Sequence, residues 1–164
     1  MIAQDLDKAI RTIPDFPKAG INFKDITPVL MDHHLCRRIT EDICSKFDNS
    51  RIDCIVGVES RGFLFGLLLA QHFKVPFVAV RKKGKLPYKN ISYKYDLEYG
   101  SAEIEMHVDA ISKGQNILIH DDLLATGGTA KAASELVKQS GGKVAGFAFL
   151  VELSDLGGKK VLEA

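Results

Sequence analysis

Cysteine is scarce in this chain of 164 residues: Cys36, Cys44 and Cys54 are odd in number and show no Cys-x-x-Cys spacing. They suit a reducing, cytosolic compartment and read as buried small hydrophobes. Long apolar runs are absent, so no membrane span is expected. Met1-Ile2-Ala3-Gln4-Asp5 does not open like a signal peptide, and a cytoplasmic location is the expectation. A charge excess is missing too. The 22 Lys and Arg against 21 Asp and Glu leave a net charge of +1, which gives the chain as a whole no reason to bind nucleic acid or an anionic membrane. Any affinity for phosphates must be local. Internal repeats, linkers and low-complexity segments are lacking. So are the two common nucleotide loops: Gly-x-Gly-x-x-Gly does not occur, and Gly57 to Gly62, the nearest approach to a P-loop, runs into Phe63.

What is present is ordinary material for one domain with a real core, with 46% apolar and 26% charged residues. From Ile52 onward, short apolar runs alternate with helix-forming stretches: Ile52 to Val58, Phe63 to Phe73, Pro76 to Val80, Ile117 to Ile119, Ala130 to Val137 and Val144 to Val151. That alternation predicts an open α/β domain with a mainly parallel sheet. Before it, residues 5–11 read as a short helix ended by Pro14, and Asp25-Ile26-Thr27-Pro28 as a turn. Leu35, Ile39, Ile43 and Phe47 give a packing helix over residues 33–47, with His33 and His34 on its surface.

The most informative stretch is Asn116 to Ala133. A buried strand, Ile117-Leu118-Ile119, leads to His120 and two carboxylates, Asp121 and Asp122. Then come a small loop, Ala125-Thr126-Gly127-Gly128-Thr129, and a helix. Free N–H groups of the loop and first helical turn, with the helix dipole, make an anion site. Gly127 and Gly128 let backbone approach a phosphate, while Thr126 and Thr129 add hydroxyl donors. A loop that held phosphate alone would gain nothing from two adjacent negative charges. They make sense if the ligand also carries diol hydroxyls or a divalent metal. A ribose 5-phosphate derivative fits. His120, on the opposite face of the strand from Asp121, is expected to pack or hydrogen-bond.

Two further charged segments leave strand ends. Glu59-Ser60-Arg61-Gly62 stands between a buried strand and an apolar helix, on the sheet edge where such folds bind ligands. Arg81 to Lys89 places five basic side chains beside Gly84 and Pro87. Because the run leads toward both phosphate loops, it reads as a diphosphate contact, with Arg81, Lys82 and Lys85 as candidates. Ile91 to Tyr95 and Ser101 to Met106 alternate like a two-stranded ribbon, a polar excursion that reads as a mobile lid.

Asp-Asp-Leu-Leu-Ala-Thr-Gly-Gly-Thr resembles the phosphoribosyl-diphosphate motif of the type I phosphoribosyltransferases, in the form carried by the adenine enzymes. Phe16-Pro17-x-x-Gly20-x-x-Phe23-x-Asp25-Ile26-Thr27-Pro28 and Leu97-Glu98-Tyr99-Gly100 are similar to two more segments of those enzymes, so the resemblance spans nearly the whole chain. It implies a single domain over residues 1–164, with an N-terminal hood over about residues 1–28 and a flexible lid over about residues 82–106.

The resemblance also implies roles. Phe23 stacks on a purine while the main chain of Asn22 and Lys24 reads its edge, and Leu153 closes the other face. Read alone, Phe23 is a core aromatic; many relatives have Arg where this chain has Lys24. Residues 125–129 hold the 5′-phosphate, and Asp121 and Asp122 hold the ribose hydroxyls near a Mg²⁺ carried mainly by substrate. Glu59, Ser60, Arg61 and Gly62 form the pyrophosphate loop, often built in the family around a non-proline cis peptide. Arg61, Glu98 and Tyr99 are the catalytic residues, Glu98 as acid/base and Tyr99 as its support; chemistry alone would make Glu98 an exposed loop carboxylate. His120 replaces the family's usual aliphatic residue. Ala125 stands where 6-oxopurine enzymes place an aspartate, which argues for adenine over hypoxanthine or guanine. The expected ligands are adenine, 5-phosphoribosyl 1-diphosphate, AMP and diphosphate, with a homodimer as the assembly. A regulatory protein that senses phosphoribosyl diphosphate is the competing class. The chain has neither room before Phe16 for a DNA-binding domain nor the charge for an RNA face.

Overall fold

Ile13 precedes Pro14, and this pair decides how the chain begins. A residue before proline is pushed out of the helical region, and Thr12 and Ile13 are β-branched. The helix expected over residues 5–11 therefore starts and ends earlier. Helix α1 covers Ile2–Ala9, Ile10 is extended, and Arg11–Ile13 forms strand β1, antiparallel to β2 at Phe23–Asp25. The computed structural model describes residues 1–97 and 100–163, which fall into two compact units, Met1–Lys46 and Phe47–Ala164.

In the first unit the expected turn at residues 25–28 is the end of β2 and the start of α2 (Thr27–Leu30). Asp25 Oδ1 accepts the Thr27 N–H at 2.9 Å and fixes that junction. Helix α3 (His33–Ser45) starts where Asp32 accepts the Leu35 N–H at 3.0 Å, an N-cap of ordinary design. It buries Leu35, Ile39 and Ile43, the stripe read from their spacing, and leaves His33 and His34 exposed.

The second unit is a six-stranded sheet with helices on both faces. Its elements are β3 (Cys54–Val58), α4 (Gly62–Phe73), β4 (Phe77–Lys82), β5 (Asn90–Asp96), β6 (Ser101–His107) and β7 (Asn116–His120). Then follow β8 (Leu123–Leu124), α5 (Gly128–Gln139), β9 (Lys143–Ala148), β10 (Val151–Glu152) and α6 (Gly158–Glu163). The sheet order is β5-β6-β4-β3-β7-β9. The last four strands are parallel, and β6 is antiparallel to both its neighbours, β4 and β5. The mainly parallel α/β reading holds.

Alternation along the strands divides the core between two helices. Val56, Val58, Ile117 and Ile119 pack with Ala132, Ala133, Leu136 and Val137 of α5. Each fully buried Leu, Ile or Val contributes roughly 1.5–3 kcal/mol. The other face meets α4. It approaches so closely that a Cβ on Gly57 or Gly66 would strike the Phe77 ring at 2.5 or 2.8 Å. Cys44 and Cys54 are buried, Cys36 is half-buried, and all three are free thiols.

Two expectations change. The strand read over residues 144–151 is split: Leu150 N–H and Val151 N–H both donate to Asp122 O at 3.0 Å. This bends the chain after Ala148 and sends Val151–Glu152 into a separate parallel pair with β8. The ribbon of β5 and β6 is not a free excursion either. Its second strand pairs with β4, buries Ile104 and Met106, and extends the main sheet.

Candidate active site

Because β3, β4 and β7 are neighbours and parallel, the loops after them open on one edge of the sheet. That edge carries most of the residues singled out in the sequence. The Glu59–Ser60 peptide is cis, and α4 begins two residues later, at Gly62. Gly62 has a packing reason as well: a Cβ there would lie 2.9 Å from the His120 carbonyl oxygen and 3.0 Å from Asp121 Oδ1. Only glycine lets the start of α4 lie against the end of β7.

Glu59 is the counter-charge of the basic segment. Its Oε1 takes Lys85 Nζ at 2.6 Å and Arg81 Nη2 at 3.4 Å, and its Oε2 accepts the Lys82 N–H at 2.8 Å. Burial alone would raise its pKa. The Lys85 ammonium, the Lys82 N–H and the Arg81 guanidinium outweigh that and hold it at about 2. Lys83, by contrast, is paired with Glu103 at 2.7 Å. The loop itself is shaped by a residue the sequence reading passed over. Oε1 of buried Glu105 accepts three successive N–H groups, those of Gly84, Lys85 and Leu86, at 2.8, 3.0 and 3.2 Å.

The acidic pair divides its work. Asp122 is buried and meets Arg61 Nε at 2.9 Å, an ion pair joining the loop after β3 to the loop after β7. Asp121 accepts the Asp122 N–H at 2.9 Å. Burial pushes the Asp121 carboxyl well above the usual carboxylate range, and the Asp122 charge adds to it, with Arg61 acting in the opposite sense. The Arg61 charge does not offset that burial. Among the described residues no group of three or more His, Cys, Asp or Glu side chains is placed to hold a metal ion. The donor set instead fits a hard cation that brings most of its ligands with it, as Mg²⁺ bound to substrate oxygens and water does.

Ala125 to Thr129 wraps into α5 with Gly127 at φ +84°, a left-handed conformation that glycine adopts without cost. A Cβ on Gly127 would also meet the Gly158 carbonyl oxygen at 2.7 Å. One on Gly158 would lie 2.3 Å from the Ala125 carbonyl oxygen. The C-terminal segment thus braces the loop, a role hidden in an ordinary Gly157-Gly158 pair. Tyr95, also unremarked in the sequence, places its hydroxyl 3.0 Å from Thr129 Oγ1. Its signal was the alternation Ile91, Tyr93, Tyr95, which marks the face of β5 that packs on the core.

Two cavities meet at Asp121 and Thr129. One, of about 230 Å³, is lined by Arg61 and by residues 121–130; the other, of about 460 Å³, by Glu59, Arg81, Lys82 and Tyr95 among others. A charged group in the smaller and a second in the larger would flank the two carboxylates. His120 packs against Phe65 and gives Nδ1 to the Ala148 carbonyl at 2.9 Å, as expected of a core histidine. Burial lowers its pKa to about 4, so it is neutral, with Nδ1–H donating.

The base-binding candidates are spread over both units. Phe23 makes an edge contact with Phe16 (centroids 5.2 Å apart), and Lys24 Nζ donates to Thr12 Oγ1 at 2.9 Å, within the first unit. Asn22 is exposed. Leu153, in the second unit, donates its N–H to Leu124 O at 2.9 Å. Glu98 and Tyr99 lie outside the described residues. Among the described residues, no helix is long and apolar enough to cross a membrane.

Comparison with known proteins agrees with this geometry. Residues 29–162 match the phosphoribosyl transferase domain. An adenine phosphoribosyltransferase of Methanococcus vannielii is 50% identical over 159 residues, 97% of this chain and 92% of its own length. The crystal structure of the adenine phosphoribosyltransferase from Rhodothermus marinus superposes with a TM-score of 0.94 at 53% identity, covering 98% of this chain and 91% of that one. That of Saccharomyces cerevisiae, complexed with an imino-altritol bisphosphate and adenine, gives 0.91 at 42% identity, with 97% and 93% covered. The chain belongs to the phosphoribosyltransferase family, and within it to the adenine phosphoribosyltransferases.

Proposed function

We propose that this chain transfers the phosphoribosyl group of 5-phosphoribosyl 1-diphosphate to adenine, releasing AMP and diphosphate, a purine-salvage reaction. The observation that carries the reading is one sheet edge on which an anion loop, two carboxylates and the cationic residues Arg61, Arg81, Lys82 and Lys83 line two adjoining cavities.

Residues 125–129 hold the 5′-phosphate through N–H groups and the Thr126 and Thr129 hydroxyls. Asp121 and Asp122 take the ribose hydroxyls and favour the positive charge that grows on the ring as the C1′–oxygen bond breaks. Arg61, held by Asp122, stands beside the departing diphosphate with Arg81, Lys82 and Lys85. Glu59 keeps Arg81 and Lys85 together, and the main chain at Ser60 and Gly62 completes that loop. Mg²⁺, near Asp121 and Asp122, supplies further neutralisation of the leaving group when bound. Adenine N9 then bonds to C1′. Phe23, the main chain of Asn22 and Lys24, and Leu153 are assigned to the base, and Glu98 with Tyr99 to its proton, on the family resemblance. A homodimer and a cytoplasmic location rest on that resemblance too.

The test is AMP formation from adenine, 5-phosphoribosyl 1-diphosphate and Mg²⁺, with hypoxanthine and guanine in parallel. Turnover with adenine alone is expected. Turnover with an oxopurine would sink the Ala125 argument. Tight binding of phosphoribosyl diphosphate without turnover of any base would favour a sensor.

A further inference from the structure

Thr129 stands where the two cavities meet, and its hydroxyl has a second partner besides any ligand. Tyr95 approaches from β5, its OH 3.0 Å from Thr129 Oγ1, and its ring lies over the first turn of α5. A Cβ on Gly128 would touch that ring at 3.6 Å, an ordinary van der Waals distance, so the ring is seated directly on the loop.

A threonine hydroxyl has one proton to give and lone pairs to receive. Phosphate oxygens at neutral pH act almost entirely as acceptors, so a phosphate in the loop requires Thr129 to spend its proton on the ligand. Tyr95 can then only donate, to the lone pair of Thr129 Oγ1. The order becomes Tyr95 O–H to Thr129 Oγ1, and Thr129 O–H to phosphate, each donor polarising the next.

We propose that Tyr95 is a positioning residue for 5′-phosphate binding: its hydroxyl sets the direction in which Thr129 donates. The inference rests on the phosphate role of residues 125–129 proposed above. It also gives the ribbon strand β5 a task at the phosphate end of the site, separate from any role of the residues at the ribbon's tip.

The test uses two probes, D-ribose 5-phosphate, which carries only the 5′-phosphate, and inorganic diphosphate, which lacks it. Binding of each is measured by titration calorimetry to the full chain, its Tyr95→Phe and Thr129→Val variants and the double variant, beside the KM for phosphoribosyl diphosphate. Tyr95→Phe keeps the ring and removes the donor. It should weaken ribose 5-phosphate about three- to tenfold, the worth of one oriented hydrogen bond, leave diphosphate within about twofold, and place the loss of kcat/KM in KM. Thr129→Val should lose at least as much, and adding Tyr95→Phe to it should cost nothing more. Equal weakening of both probes by Tyr95→Phe would mean general loosening and overturn the proposal, as would full additivity in the double variant. If Thr129→Val weakens ribose 5-phosphate while Tyr95→Phe does not, the proposal alone fails. If Thr129→Val has no effect either, the phosphate role of Thr129 falls with it.

Discussion

Arg61 Nε sits 2.9 Å from Asp122 Oδ2, and through this contact the loop after β3 is tied to the loop after β7. The carboxylate is buried, while about a third of the arginine side chain stays exposed. One side chain therefore has a contact fixed by Asp122 and also lines the smaller cavity. Arginine suits the task because its planar fork serves two partners at once, which a lysine ammonium does less rigidly. Arg61→Lys should lower kcat/KM for phosphoribosyl diphosphate by about 10²-fold, the usual cost of one misplaced charge-stabilising donor. Steady-state kinetics of AMP formation check it. A loss under threefold would leave Arg61 a purely structural partner of Asp122.

His120 makes the folded state sensitive to acid. Burial lowers its pKa to about 4, and an unfolded histidine titrates near 6.5. Between those values the unfolded chain binds a proton that the folded chain does not. The contribution is therefore present in full above pH 6.5 and is lost as pH falls toward 4. His120→Leu should remove it, making the variant relatively more stable at pH 5 by about 1–2 kcal/mol. For a chain of this size that corresponds to about 2–4 °C in Tm per kcal/mol. Thermal unfolding of both proteins at pH 7 and pH 5 measures it. Parallel shifts in the two would show that His120 does not titrate in this window.

Much of this site was legible in residues 116–133, because strand, acidic pair, glycine loop and helix follow one another without a gap. The charged tetrapeptide at residues 59–62 was legible for a related reason: charge between two buried elements needs a ligand or a partner. What sequence could not show were contacts between distant segments. Glu105 reads as one outward carboxylate of a polar ribbon until three N–H groups of residues 84–86 fold onto it. The bend after Ala148 depends on a carbonyl of Asp122, which no local propensity encodes. The strand at residues 11–13 was obscured by a helical pattern in the residues just before it.

Asp121 affects stability in the opposite sense from His120. Burial first, and the neighbouring Asp122 charge second, raise its pKa well above the usual range near 3.8. Above that range the folded state holds a proton that the unfolded state has released, so stability falls as pH rises through the interval up to the raised value. The unliganded protein should gain a few degrees of Tm on Asp121→Asn at pH 8 and almost nothing at pH 4. The same change should depress phosphoribosyl-diphosphate turnover, since positive charge brought beside Asp121 favours its ionised form and an amide cannot ionise to meet a cationic ring. Calorimetry at the two pH values, beside the kinetics, tests both halves. A variant less stable at pH 8 would contradict the assignment of burial as the dominant cause.

Gly158 should control the phosphate loop from outside it. An added Cβ would lie 2.3 Å from the Ala125 carbonyl oxygen, 2.9 Å from Leu124 Cδ1 and 3.0 Å from Gly127 N. Two of those atoms are backbone of the loop itself, so relief must come from moving the loop or α6, not from rotating a side chain. Gly158→Ala should raise the KM for phosphoribosyl diphosphate about tenfold and weaken ribose 5-phosphate to the same degree. Overpacking of this kind costs about 1–3 kcal/mol, so Tm should fall as well. Diphosphate affinity should stay within about twofold, because Glu59, Arg81 and Lys85 hold one another independently of α6. If Tm falls while ribose 5-phosphate binding is unchanged, α6 has yielded instead of the loop, and Gly158 serves only its own packing.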